Sequence, residues 1–413
     1  MGSAEGQPDP VGLVLAGGGA RGAYEIGALS VLLPELDRRG ERPRVIVGTS
    51  VGALNSAFLA ATAERPVAEV ILDGERIWRE TGYKEVLAAL LTVRSLGRGL
   101  RFAGQVMGLG NAHSLSIVDP APLEGTLRRL IPFDRLGANV EGNEIDAAAV
   151  VATSALTSRT VVFHHGGGTV APDDKRGIDY VPTPLEVDHV RASAAIPALF
   201  PAVRVGSPGH AAGWYFDGGT RLNTPIKPAL ALGARRVIVI ALDPLAPGPK
   251  QLASDRQPDA VEGIGQFLQA VLVDPMIQDV HTLAGINEHV RAVDRAPDPA
   301  AAPAQDARER TAVPYILIAP ERRGEIGEAA ARVFQDHYTG MRRALTSRDL
   351  AALGRLVDGG ADPAHGEILS LLFFAPEFAE VLLEMGRRDA RRWLDAAHED
   401  GPWDTGPPGV GPG

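Results

Sequence analysis

The chain has 413 residues, of which 45% are hydrophobic and 22% charged, so it is long enough and apolar enough for a large folded core. Asp and Glu outnumber Lys and Arg by 51 to 41, and the net charge of −10 argues against nucleic-acid binding along a broad basic face. The sequence has no cysteine, which excludes disulfides, thiolate catalysis, and zinc or iron–sulfur sites built on cysteine.

Targeting and membrane segments are not evident in the sequence. No run approaches the roughly 18 consecutive apolar residues of a membrane-spanning helix. The first ten residues, MGSAEGQPDP, carry no basic segment of the kind that opens a secretory signal. We therefore expect a cytoplasmic protein, with at most a peripheral association with membranes.

Short β-branched runs alternate with helical patterns along most of the chain, which predicts an α/β fold with a mostly parallel sheet covered on both faces. The predicted strands are 11–15, 44–47, 147–153, 160–164, 214–216, 236–242 and 315–319. The predicted helices are 24–36, 51–63, 67–79, 122–130, 187–195, 225–232, 260–293 and 326–345, with a closing helix pair over 369–396.

Composition divides the chain further. Residues 1–10 and 401–413 are predicted to be disordered ends, and residues 11–345 to form the main domain. A helical extension is expected over 346–400. An irregular insertion at 84–118 interrupts the alternation, and it can be read as a loop or small helical segment over a site or as a disordered connection.

The run Gly17–Gly22 (GGGARG) follows the first predicted strand and opens the first helix. Consecutive small residues allow backbone N–H groups to point into open space beside a helix N-terminus, a geometry that binds an anion or a developing oxyanion. The same letters satisfy the dinucleotide pattern G-x-G-x-x-G. However, the second strand runs into residues 48–50 (GTS) and does not end in the acidic residue that would bind a ribose.

The run Gly48–Gly52 (GTSVG) lies between the second strand and the second helix, which is the context that a nucleophile elbow requires. Its central residue, Ser50, would stand at a helix N-terminus, where the helix dipole favours developing negative charge. The flanking glycines would leave room for the neighbouring strand and helix. Ser50 is therefore the candidate nucleophile.

A serine nucleophile needs a base. None of the ten histidines stands in an informative sequence context. A better candidate is Asp217, because an apolar strand ends there in the run Trp214–Gly219 (WYFDGG). An Asp-Gly pair is also a common hairpin turn, so this motif alone is balanced between a turn and a catalytic role.

Taken together and in this order, the three motifs resemble those of patatin-like phospholipases. Residues 192–201 (ASAAIPALFP) and 223–225 (NTP) are similar to the family's segments around the aspartate. The resemblance covers roughly residues 13–242, with a looser likeness over 371–390. It implies a three-layer α/β/α patatin-type fold with a helical C-terminal extension.

The resemblance also implies a mechanism: a Ser–Asp dyad that cleaves lipid esters through an acyl-enzyme, without metal or cofactor. Ser50 would be the nucleophile and Asp217 the base. The implied oxyanion donors are Gly17, Gly18 and Gly19, and the supporting motif positions are Arg21, Gly22, Gly48, Gly52 and Gly218. Arg21 could hold the shape of the loop, offset nearby negative charge, or simply lie at the surface.

The expected partner is a lipid ester, met at a membrane or micelle interface; the sequence does not indicate the oligomeric state. Residues 87–100 mix leucines with arginines, and with Arg94, Arg98 and Arg101 they could contact an anionic surface. A core-facing helix is the alternative for this segment. The alternative functions are a nucleotide-binding protein, a non-catalytic lipid-binding relative, and a hydrolase with a Ser–His–Asp triad.

Overall fold

The computed structural model describes residues 9–82, 121–197, 200–244, 285, 287–288, 312–338, 363–396 and 401–406. The insertion predicted at 84–118, its three arginines, and nearly all of the helix predicted at 260–293 lie outside these residues. The same is true of residues 1–8 and 407–413 at the two ends of the chain.

The described elements of the first half of the chain begin with a strand and a long helix, and four consecutive helices follow the second strand. They are β1 (Val11–Leu15), α1 (Gly22–Arg38), β2 (Pro43–Thr49), α2 (Val51–Ala61), α3 (Val67–Glu80), α4 (Ala121–Leu130), α5 (Phe133–Glu141), β3 (Ala147–Ser154), β4 (Thr160–Gly166) and β5 (Ile178–Pro182).

The second half supplies the remaining strands and the C-terminal helices. They are α6 (Val187–Ser193), β6 (Val203–Val205), β7 (Gly213–Asp217), α7 (Ile226–Ala231), β8 (Arg236–Ile240), β9 (Tyr315–Ile318), α8 (Glu325–Tyr338), α9 (Pro363–Leu372) and α10 (Pro376–Asp395).

One mixed sheet organises the described part of the chain, with the strand order β5-β4-β3-β2-β1-β8-β9. Neighbouring strands from β3 across to β9 are parallel, whereas β4 and β7 both pair with β3 in the antiparallel direction. Strand β6 pairs only with β7. The carboxyl ends of β1, β2 and β8 therefore meet at one edge, where α/β sheets usually bind ligands.

Both faces of the sheet are buried, as the continuous apolar strands predict. Alternate residues of β1 point to opposite sides: Leu13 and Leu15 pack with α1, α2 and α10, while Val14 packs on the face that α7 covers. The predicted three-layer α/β/α architecture with C-terminal helices is confirmed.

Helix α10 packs against α1 with the two backbones in contact. A Cβ at Gly27 would overlap the carbonyl of Leu383, and a Cβ at Gly386 would overlap the carbonyl of Tyr24. The Tyr24 hydroxyl also donates a hydrogen bond of 2.7 Å to Asp389 Oδ2. The predicted C-terminal extension thus contributes α10 directly to the main core.

Three short elements were absent from the predicted set. Strands β5 and β6 have five and three residues, too few for a clear alternation. Helix α5 contains a glycine and is held by tertiary contacts: Leu136 is buried, and Asn139 Nδ2 donates to Ala60 O at 2.8 Å. Such contacts between distant segments are not legible in a local pattern.

The end of the chain differs from the prediction of a disordered tail over 401–413. Residues 401–406 are described and pack on the domain. Asp404 and Tyr315 exchange backbone hydrogen bonds of 2.7 and 2.9 Å, and the Trp403 indole donates to Glu41 Oε2 at 3.0 Å. An aromatic side chain and a strand edge thus hold these residues on the domain despite their glycine- and proline-rich composition, and the predicted division of the chain stays a prediction. No helix in the described ranges is long and apolar enough to cross a membrane.

Candidate active site

Ser50 stands between β2 and α2 with φ 55° and ψ −123°, in a region that a residue with a side chain rarely adopts. Its neighbours explain how the turn closes. A Cβ at Gly48 would overlap the carbonyl of Gly52, and a Cβ at Gly52 would overlap the carbonyl of Leu15. This is the strand–turn–helix geometry of a nucleophile elbow, with the serine at its tip.

Side chains from other segments hold this turn. The Ser50 N–H donates to Ser193 Oγ at 2.9 Å, and Ser193 Oγ in turn donates to Val151 O at 2.6 Å. Thr49 Oγ1 donates to Leu222 O at 3.1 Å. Ser193 lies in the segment 192–201 that is similar to the family's segment before the aspartate, although no local pattern marks it as a support of the turn.

Asp217 ends β7 and is almost completely buried, with 1% of its surface exposed. Its N–H donates to Ala195 O at 2.9 Å, and its Oδ1 accepts the Gly219 N–H at 2.7 Å. A Cβ at Gly218 would overlap the carbonyl of Val151, so the glycine that follows the aspartate brings it close to β3.

The carboxyl of Asp217 has the properties of a base near neutral pH. Burial raises its pKa to about 7, while the Ser50 side chain and the Gly219 N–H lower the pKa in part. Its Oδ2 has no hydrogen bond of standard geometry within the described residues, and the Ser50 hydroxyl lies beside the carboxylate without being tightly bonded to it. A general base with a pKa near the working pH is the effective one.

The glycine loop after β1 lies beside Ser50: a Cβ at Gly17 would be 3.0 Å from the Ser50 Cβ. Asn223 fixes the loop, because its Oδ1 accepts the Gly17 N–H at 3.0 Å and its Nδ2 donates to Gly17 O at 3.3 Å. The Gly17 N–H is therefore already bonded within the fold, and its role as an oxyanion donor stays a prediction. Among the described residues, no acceptor is found for the N–H groups of Gly18 and Gly19.

Arg21 is buried, which rules out the surface role that the sequence left open. Its Nε donates to Ser370 Oγ at 2.8 Å, and its guanidinium forms ion pairs with Glu367 and, at 3.5 Å, with Asp243. Burial alone would lower the pKa of Arg21, but the two carboxylates raise it above its usual value. Burial also raises the pKa of Asp243 to about 7, against the effect of Arg21. Arg21 thus ties the glycine loop to α9.

Residues of other segments pack tightly against the side of the glycine loop that faces away from Ser50. Gly19 has φ 59°, and a Cβ there would overlap the carbonyl of Leu371, while a Cβ at Gly18 would overlap the Leu242 side chain. The open side of the loop faces Ser50. The supporting glycine at position 22 is equally constrained, since a Cβ there would lie 2.5 Å from the Trp78 ring.

An apolar cleft begins at Ser50 and Gly19 and contains about 930 Å³ of space not filled by atoms, part of it open to solvent. Helices α2, α3 and α4 form most of its walls, and Leu371 and Phe374 close one side. Its aliphatic and aromatic lining includes Leu54, Phe58, Ile77, Trp78, Leu127 and Phe200. No histidine is among the described residues that line this cleft.

The sequence model of one protein family, Patatin-like phospholipase, matches residues 13–230, more than half of the chain. The chain belongs to the patatin-like phospholipase family. The glycine loop, the GTSVG motif and the aspartate all lie within the matched residues. No curated protein sequence matches this chain at a significant level.

Two solved structures are similar to this chain at low identity. VipD from Legionella pneumophila is 13% identical with a TM-score of 0.33, over 94% of this chain and 67% of VipD. Human GIVD cytosolic phospholipase A2 in complex with methyl gamma-linolenyl fluorophosphonate is 14% identical with a TM-score of 0.31, over 93% of this chain and 59% of the human protein.

Proposed function

We propose that this chain hydrolyses fatty acyl esters through a Ser50–Asp217 dyad. The observation that carries the proposal is the position of Ser50, on a strained elbow with a buried carboxylate beside it and an apolar cleft in front. An apolar cleft that ends at a nucleophile suits the acyl chain of a lipid ester better than a polar substrate.

In the first half-reaction, Asp217 accepts the Ser50 hydroxyl proton as Ser50 Oγ attacks the ester carbonyl carbon. The carbonyl oxygen becomes an oxyanion, which the N–H groups of Gly18 and Gly19 stabilise. When the tetrahedral intermediate collapses, the bond to the alcohol breaks and Asp217 returns the proton to the leaving oxygen. The acyl group remains esterified to Ser50.

In the second half-reaction, Asp217 accepts a proton from water as the water oxygen attacks the acyl carbon. The same N–H groups stabilise the second oxyanion. Collapse breaks the ester bond to Ser50, and the proton held by Asp217 returns to the serine oxygen. The products are a fatty acid and the regenerated hydroxyl, so no cofactor takes part in the scheme.

The access of lipid to this cleft would require contact with an aggregate, so we also propose a transient interaction with a membrane or micelle. Thr81 and Leu123 lie within three residues of the two ends of the segment 83–120, and both line the cleft. The predicted contact through Arg94, Arg98 and Arg101 falls between them and stays a prediction. Exchanging the three arginines for glutamate should weaken binding to anionic liposomes, and unchanged binding would remove the idea.

The direct test is hydrolysis of p-nitrophenyl butyrate and palmitate by the wild type, Ser50→Ala and Asp217→Asn. We expect turnover by the wild type and its loss in both variants, with Ser30→Ala, an exchange at a partly exposed helical serine, unchanged. Activity that survives Asp217→Asn but disappears when one histidine is replaced would instead indicate a Ser–His–Asp triad. Absence of turnover together with stabilisation by NAD or ATP would favour nucleotide binding.

A further inference from the structure

The apolar cleft runs along α2, away from the candidate nucleophile. Ser50, Leu54 and Phe58 all line it, and their spacing of four residues places them on one face of the helix. Eight residues of α-helix rise about 12 Å, so Phe58 lies at roughly that distance from the serine. The cleft therefore has a reacting end at Ser50 and a far end near Phe58.

Helix α3 lines the same cleft and runs in the opposite direction to α2. The Trp78 indole N–H donates to Asn55 Oδ1 at 3.1 Å, in the middle of α2. One turn earlier in α3, a Cβ at Gly74 would lie 3.4 Å from Phe58 Cε1 and 3.3 Å from Ile26 Cγ2. Gly74 is therefore placed at the far end of the cleft.

Nothing in the backbone requires glycine at position 74. The residue lies inside an α-helix without a positive φ, where glycine costs about 1 kcal/mol relative to alanine. A Cβ would lie 3.3 Å from Ile26 Cγ2, so this neighbour would have to shift by a few tenths of an ångström. Phe58, the other neighbour, itself lines the cleft beside Gly74, so a larger side chain would fill the space next to the Phe58 ring or push that ring into the cleft. The absent side chain thus keeps this end of the cleft open.

We infer that Gly74 sets the longest acyl chain that the site accepts, and that the cleft takes one long, unbranched fatty acyl chain with its carbonyl at Ser50. This inference rests on the proposed function. A side chain at position 74 removes space about 12 Å from the reacting atoms, so it should exclude the distal methylenes of a long chain and leave a short chain unaffected.

The experiment compares Gly74→Ala, Gly74→Val and Gly74→Leu with the wild type on p-nitrophenyl butyrate, octanoate, laurate and palmitate. Gly125→Val is the matched control, because Gly125 is also inside a helix but a Cβ there meets nothing within 4 Å. We expect kcat/KM for palmitate to fall about 10- to 100-fold in the valine and leucine variants, with butyrate changed less than about twofold. The alanine variant should shift in the same direction by a smaller factor.

The possible outcomes separate this inference from the proposed function. A preference for long chains that is the same in the wild type and all three Gly74 variants would overturn the role of Gly74 alone. A uniform loss across the ester series in Gly74→Ala, which adds only a Cβ, would also contradict it. Failure of the wild type to hydrolyse any ester or to react with a fluorophosphonate would contradict the proposed function and this inference together.

Discussion

The guanidinium of Arg21, beside the glycine loop, forms an ion pair with the carboxylate of Glu367 in α9. The two residues are 346 positions apart in the sequence. Ser370, one turn further along α9, accepts a second hydrogen bond from the same guanidinium, at 2.8 Å. The helix that carries these partners also supplies Leu371 to the wall of the cleft. The C-terminal helices are therefore part of the candidate site.

Replacing Arg21 by methionine should destabilise the protein strongly. The change leaves Glu367 and Asp243 without their shared cation in a buried place, and an orphaned buried charge costs about 3–5 kcal/mol. Denaturant unfolding measures the loss. Arg38→Met is the control, since Arg38 is exposed and solvent screens its pair with Glu35. Equal stability of the two variants would contradict a structural role for the buried cluster.

The milder change Glu367→Gln tests whether the cluster positions the oxyanion loop. Glutamine keeps the size of the side chain and can still accept from Arg21, but it removes one negative charge. If the loop shifts, we expect kcat to fall several-fold while KM for a short-chain ester stays nearly constant, because the loop acts on the transition state and not on the acyl chain. A rise in KM with unchanged kcat would point to the cleft wall instead.

Ser193→Ala should weaken the elbow. The exchange leaves the Ser50 N–H and the Val151 carbonyl without their buried partner, at a cost of about 1–3 kcal/mol in the free energy of unfolding. Labelling by a fluorophosphonate should slow as well, because the strained backbone at Ser50 is less well fixed. Ser30→Ala, at a partly buried serine in α1 whose hydroxyl donates to Gly27 O, serves as the control. Unchanged stability and labelling would show that Ser193 does not support the turn.

The pH dependence of hydrolysis should report the carboxyl of Asp217. Its pKa is raised to about 7, and only the ionised form accepts the serine proton. We therefore expect kcat/KM to fall about tenfold per pH unit below about pH 7 and to level off above it. Because p-nitrophenol itself ionises in this range, the rate should be followed through fatty acid release.

A second carboxyl could produce the same profile, since burial also raises the pKa of Asp243 to about 7. Asp243→Asn separates the two groups. If Asp217 is the base, the inflection near pH 7 persists in this variant. An inflection that disappears would assign the titration to the Arg21 cluster and not to the dyad.

Relative to the wild type, the Asp217→Asn variant should gain stability as the pH rises. In the unfolded chain Asp217 loses its proton near its ordinary pKa of 3.8, but in the folded protein it keeps the proton up to about pH 7. The wild type therefore loses up to about 4 kcal/mol of stability as the pH rises through this range. The advantage of the asparagine variant should grow between about pH 4 and pH 8 in thermal unfolding, and a constant difference would contradict the raised pKa.

Local patterns in the sequence were sufficient for the parts of the fold and site that depend on neighbouring residues. The apolar run of β1, the glycines on both sides of Ser50 and the strand that ends at Asp217 are each contained in a few residues. The glycine loop and Ser50 each follow directly on a predicted strand. Because both strands are parallel, the ends of the two strands lie at the same edge of the sheet.

Contacts across long stretches of sequence could not be predicted in this way. The capture of the Gly17 N–H by Asn223, the pairing of Arg21 with α9, and the support of Ser50 by Ser193 join residues between 143 and 349 positions apart. The position of Gly74 in the cleft likewise depends on how α3 packs against α2. These contacts depend on how distant segments pack together, and a single sequence does not show which residue contacts which.

The measurement that tests the dyad most directly is peptide mapping by mass spectrometry after labelling with a long-chain fluorophosphonate. We expect one modified peptide containing Ser50 in the wild type, no label in Ser50→Ala, and a labelling rate lowered at least tenfold in Asp217→Asn at about pH 8. Label on any other serine, or a rate that Asp217→Asn leaves unchanged, would contradict the dyad.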